Sequence, residues 1–137
     1  MTLRRVLPVV VLLLLAPVAA EAYIETPTGV DVLATYTEPT TIVGGQPITN
    51  LQSTTIYWWL GAGPETAVVV PAALGTGGAA ISRTLSIPLG QCTAGVVSAQ
   101  ATGTNPFGES ARTATVQLAV ARVQGCVPAA PSGLTVN

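Results

Sequence analysis

The stretch STTIYWWLG, residues 53–61, decides the fold. In an extended backbone Ile56, Trp58 and Leu60 point to one side, and Tyr57 and Trp59 to the other. β-Branched and aromatic residues alternating at period two describe a strand with one buried face. Gly61 and the Gly63-Pro64 pair end it in a turn.

The same period recurs outward in both directions. GVDVLATYT (29–37) sets Val30, Val32, Ala34 and Tyr36 against Asp31, Leu33, Thr35 and Thr37. EPTTIVGGQPIT (38–49) interrupts with two prolines and Gly44-Gly45, the composition of a loop. AVVVP (67–71) is followed by the glycine-rich LGTGGAA and then by ISRTLSIPLG, in which Leu85 and Ile87 share a face. GVVSAQAT (95–102) sets Val97, Ala99 and Ala101 against Ser98, Gln100 and Thr102. ARTATVQLAV (111–120) places Ala114, Val116, Leu118 and Val120 on one side. No stretch sustains a helical period. Six short strands separated by Gly/Pro turns predict an all-β, immunoglobulin-like antiparallel sandwich with one buried face per sheet.

The N-terminal MTLRRVLPVVVLLLLAPVAAEAY has the charged, apolar and small-residue order of a secretory signal peptide, with cleavage expected after Ala20 or Ala22. Its apolar run is shorter than the roughly 20 residues a membrane span needs. After residue 22, Thr, Ser, Gly and Pro break every apolar run, so no membrane span is expected once the signal is removed. The chain therefore divides into a signal peptide (1–22), a β-domain (23–126) and a proline-rich tail (127–137), and the protein is expected to be exported, periplasmic or extracellular.

Charge and composition narrow the function. From residue 23 onward three arginines (Arg83, Arg112, Arg122) face five acids (Glu25, Asp31, Glu38, Glu65, Glu109), a formal charge of −2. With no lysine and only scattered arginines, there is no basic stripe to hold nucleic acid. The chain has no histidine, so no serine or threonine has the base a catalytic triad requires. The acids are spread too thinly along the chain for a hydrolytic or calcium-binding cluster. The reading is of a protein that is no enzyme and takes no cofactor and no metal. Cys92 and Cys126, an even pair in an exported chain, are expected to form a disulfide closing a loop of about 34 residues.

The order TYTEPTTIVGGQPITNL, TTIYWWLGAG, TLSIPLG, VVSAQATGTNPFGES resembles a fibronectin type III domain over residues 27–122. Tyr36-Thr37-Glu38-Pro39 stands where that family commonly has Trp-x-x-Pro at the end of its second strand. Tyr36 is smaller than tryptophan and carries a hydroxyl that wants a partner. The family's tyrosine before the sixth strand is absent, and Cys92 lies at that corner, so the resemblance implies that the disulfide replaces the tyrosine clamp. Between Pro27 and Tyr36 there is room for about one strand where the family fits two. The first strand is thus expected to be very short, formed by residues 23–28, or missing, and a missing edge strand invites another chain to add on.

Two places could bind a partner. Tyr57 and Trp59, on the outer face of their strand, form a candidate platform for a sugar or a protein unless the Val68-Val69-Val70 strand or the tail covers them. The turn GTNPFGES (103–110) is a candidate recognition loop through Asn105 and Phe107. Turn chemistry also explains it, with Asn105-Pro106 starting the turn, Gly108 allowing positive φ and Phe107 capping the core. The expected function is a structural or protein-interaction module. The alternatives are a carbohydrate-binding module for cell-surface polysaccharide, and a subunit that self-associates by strand addition at an open sheet edge.

Overall fold

A computed structural model describes residues 23–136. The signal-peptide reading falls on residues 1–22, outside that range. Eight strands form, all antiparallel, and no helix occurs among the described residues. They are β1 (Tyr23–Glu25), β2 (Gly29–Thr37), β3 (Ser53–Leu60), β4 (Thr66–Pro71), β5 (Ala80–Pro88), β6 (Ala94–Asn105), β7 (Gly108–Glu109) and β8 (Val116–Ala121).

Two sheets pack as a sandwich. The first has the order β1-β2-β5, and the second β4-β3-β6, with β7 and β8 both paired to β6. The chain changes sheet between β2 and β3, between β4 and β5, and between β5 and β6. Val30, Val32, Leu85 and Ile87 from the first sheet meet Ile56, Trp58, Val70, Val97 and Val120 from the second, and Leu89 joins them from the β5–β6 connection. Each such side chain contributes about 1.5–3 kcal/mol by leaving water. The alternation expected along β2, β3, β5 and β6 therefore points inward where the sequence says it should. Gly29 marks a close approach between β2 and β5, since a Cβ there would lie 1.9 Å from the Ile87 carbonyl oxygen.

Among the described residues a first strand is present rather than missing. Three residues pair, from Tyr23 opposite Val32 to Glu25 opposite Val30. Side chains anchor this brief ladder at the other end of the chain. The Tyr23 hydroxyl accepts the Ala121 N–H at 3.2 Å, and the Glu25 carboxylate accepts the Val123 and Gln124 N–H groups, both at 3.0 Å. Arg122 donates to the Leu89 and Pro27 carbonyls. Cys92 and Cys126 are bonded, with Cα atoms 5.6 Å apart, tying the β5–β6 turn to the segment after β8. The Tyr36 hydroxyl finds its partner in Thr54 Oγ1 at 2.6 Å.

The last strand differs from expectation. Regular pairing starts only at Val116, and residues 110–115 carry no strand. There the backbone of Thr113 donates to the Ala101 carbonyl while its hydroxyl accepts the Ala101 N–H, so one residue occupies both groups and the ladder cannot continue in step. Val116, expected inside, is mostly exposed. Beyond the disulfide, residues 127–136 run without a strand partner among the described residues.

Candidate functional site

The outer face of the second sheet is more covered than a simple alternation suggests. Tyr57 and Trp59 do share that face, and both are half-buried. The cover is Arg112, from the β7–β8 connection, whose guanidinium carbon sits 3.8 Å from the Tyr57 ring centroid. Arg112 is held there by a two-pronged ion pair with Glu65, at 2.6 and 2.9 Å. The Tyr57 hydroxyl donates to Glu109, which also accepts from the Thr102 hydroxyl. Thr55, Ser98 and Thr102, polar residues of this outer face, are buried, and Ser98 accepts from the Gln117 side chain.

This network shifts its members in consistent directions. Hydrogen bonds from Thr102 and then Tyr57 lower the Glu109 pKa, and the Arg112 hydrogen bond lowers that of Glu65. The bond to Glu109 raises the Tyr57 phenol. All these groups remain charged or neutral as they would be in water near neutral pH, so the cluster fixes the β7–β8 connection and sets up no acid–base pair. For a ligand, Arg112 already occupies the ring face that Tyr57 would offer.

A different surface opens at the end of the sandwich opposite the disulfide. The β2–β3 connection folds into a small hairpin, with a Thr41–Pro47 bridge and the Ile42 N–H bonded to the Gln46 carbonyl. Its tip passes through Gly44 and Gly45, both at positive φ, and carries Val43, which is 97% exposed. Facing it, the β6–β7 turn closes as its sequence suggests, the Asn105 side chain accepting the Phe107 N–H at 2.9 Å and Gly108 taking φ 141°. Phe107, however, does not cap the core. Because β6 carries the turn beyond the packed layers, the ring is 90% exposed.

Between the two turns lies a cleft of about 450 Å³, walled by Pro39, Ile42, Val43 and Phe107 and floored by Ile48 and Leu51. Thr104, Asn105 and Glu109 form its polar side. Gly103 lets the wall approach, since a Cβ there would lie 2.9 Å from the Pro39 ring. Glu38 anchors the base of the β2–β3 connection. It is 2% exposed, its Oε1 accepts the Ala73 N–H at 2.8 Å, and its Oε2 is buried without a partner among the described residues. Of the residues marked in the sequence, Asn105 and Phe107 belong to this cleft, while Tyr57 and Trp59 lie on the sheet face. Ile42 and Val43 escaped notice, because a loop composition gives no periodicity from which exposure can be read.

Among the described residues no group of three or more His, Cys, Asp or Glu side chains comes together, and no helix is long and apolar enough to cross a membrane. Comparison with protein-family models, with curated proteins and with solved structures finds no match.

Proposed function

We propose that this is an exported, non-enzymatic interaction module of fibronectin type III type, which seats an apolar side chain of a partner protein in the cleft at its loop end. The observation that carries the reading is the pairing of two exposed apolar residues, Val43 and Phe107, across an apolar hollow with a polar rim. Large exposed hydrophobics scattered singly need no explanation, but grouped around a concavity they mark a binding surface. An aromatic on the rim supplies much contact area with few rotatable bonds, which suits an interaction anchor. The two-sheet arrangement, with successive crossings between sheets, supports the immunoglobulin-like part of the reading. Export is supported by the disulfide, which oxidising compartments maintain.

Phe107→Asp and Val43→Asp are the test, with the native cell envelope as the source of partner. Both side chains are exposed, so neither change should lower the melting temperature by more than a degree or two. Each should abolish the partner band recovered by the wild-type protein. Undiminished recovery by both variants rejects the cleft as the binding surface. The sugar-platform alternative rests on Trp59 alone, now that Arg112 covers Tyr57. A tryptophan emission shift with polysaccharide that disappears in Trp59→Ala would favour it.

A further inference from the structure

β4 pairs with β3 alone among the described residues. The ladder itself decides which of its backbone groups are left over. The Ala72 N–H bonds the Gln52 carbonyl at 2.9 Å, and along an antiparallel strand every second residue turns to the same side. Val70, Val68 and Thr66 therefore give their backbone groups to β3, while Ala67, Val69 and Pro71 turn theirs away from it. Pro71, with no N–H, stands where β3 asks for no donor. An edge with unpaired donors and acceptors is where another strand adds on.

The neighbouring edge is guarded by charge. The Tyr23 hydroxyl joins β1 to Ala121 of β8, so β5 and β4 lie together on the opposite flank of the sandwich. On β5, Arg83 stands opposite Ala34, a residue packed against the core, yet Arg83 is exposed. Its charge therefore leaves the sandwich over the β5 edge, and an inward-pointing charge on an edge strand keeps other strands off. β4 carries no such guard. From Thr66 to Ser82 there is no charged residue, and Val69, on the outer face, is 61% exposed.

We infer that β4 pairs antiparallel with β4 of a second copy of this chain, about a two-fold axis at Val69. Each Val69 then exchanges both of its backbone bonds with the same residue of the other copy, and each Ala67 N–H meets a Pro71 carbonyl. The group left over is the Ala67 carbonyl, which the missing Pro71 N–H would have met, so the ladder stops there in both copies. The edge has a donor at one end and an acceptor-only residue at the other, and the two-fold axis brings them together. This self-fit selects a second copy over an unrelated strand. The two Val69 side chains meet on the outer face and Val68 meets Val70 on the inner one, with no like charges opposed. The second sheet runs on across both copies, and because the contact is isologous it closes as a dimer. With little surface covered, the dimer is weak.

Ala67 and Val69 do not line the loop-end cleft, so the two surfaces can fail independently. Sedimentation velocity of the protein beginning at Tyr23, with the disulfide intact, is expected to show a monomer–dimer equilibrium rising with concentration into the roughly millimolar range. Val69→Lys and Val69→Glu each set like charges against one another at the axis and should be monomeric, while an equal mixture of the two should associate again. The Val69 side chain is exposed, so neither change should lower the melting temperature by more than about a degree or two. Phe107→Asp should dimerise as the wild type does. Wild-type protein that stays monomeric throughout overturns the proposal. So do a mixture of the two charged variants that stays monomeric, association undiminished by Val69→Lys, and association abolished by Phe107→Asp, which would place the contact at the cleft.

Discussion

Glu38 holds two connections together with one carboxylate. Its Oε1 bonds the Ala73 N–H, and its own backbone N–H and C=O bond Ala79 and Gly78. Glu38→Ala strands the Ala73 amide and opens a cavity, and should lower the stability measured by urea unfolding by about 2–4 kcal/mol. Glu38→Gln keeps an acceptor for Ala73 and should lose less. Nothing in the sequence marks this acid out from the other four, because its burial comes from the 72–79 segment folding over it. Glu25, half-buried, has a backbone N–H on each carboxylate oxygen. The amides of Val123 and then Gln124 hold its pKa below the ordinary carboxylate value. Its folded pKa is depressed, so its contribution is full above the unfolded value of about 4.3 and fades as the pH falls through the lower folded value. Glu25→Gln should therefore flatten the fall in stability between about pH 5 and pH 3, as read by thermal melts across that range. An unchanged slope would mean that the bonds to Val123 and Gln124 do not persist in solution.

At the scale of elements, legibility follows burial on one face. β2, β3, β5 and β6 each pack one side on the core, and there the period-two pattern names the buried residues. β8 is shorter than its alternation predicts, because Thr113 and Thr115 alternate with Ala114 and Val116 as a strand would while their hydroxyls bond β6 instead. The Arg112 cover over Tyr57 was invisible because it joins residues far apart in sequence, Glu65, Tyr57 and Arg112. The disulfide was legible because two cysteines allow one pairing. It closes the β5–β6 turn onto the end of β8, whose strand partner among the described residues is β6 alone. Replacing both cysteines with alanine should cost about 2–4 kcal/mol. The loss should appear first as faster amide exchange in β8 and β1, which share the Tyr23–Ala121 and Glu25–Val123 bonds.

For the whole molecule, the two ends of the sandwich do different work. The disulfide end gathers Tyr23, Glu25, Arg122 and the Cys92–Cys126 bridge into a closed network. The opposite end leaves Ile42, Val43 and Phe107 uncovered around a hollow. This division was half legible in the sequence. Paired cysteines announced the closed end, whereas the open end required two glycine-containing turns, whose Val43 and Phe107 are far apart in the sequence, to be seen side by side on one rim. The central claim is that the rim is occupied by a partner protein. Its most direct measurement is photo-crosslinking in the producing cells, with a benzophenone amino acid in place of Phe107 and, as control, in place of Thr84 on the outer face of the first sheet. A discrete adduct from position 107, absent from position 84 and lost when Val43→Asp is added, is the predicted result. No adduct from position 107, or the same adducts from both positions, would contradict it.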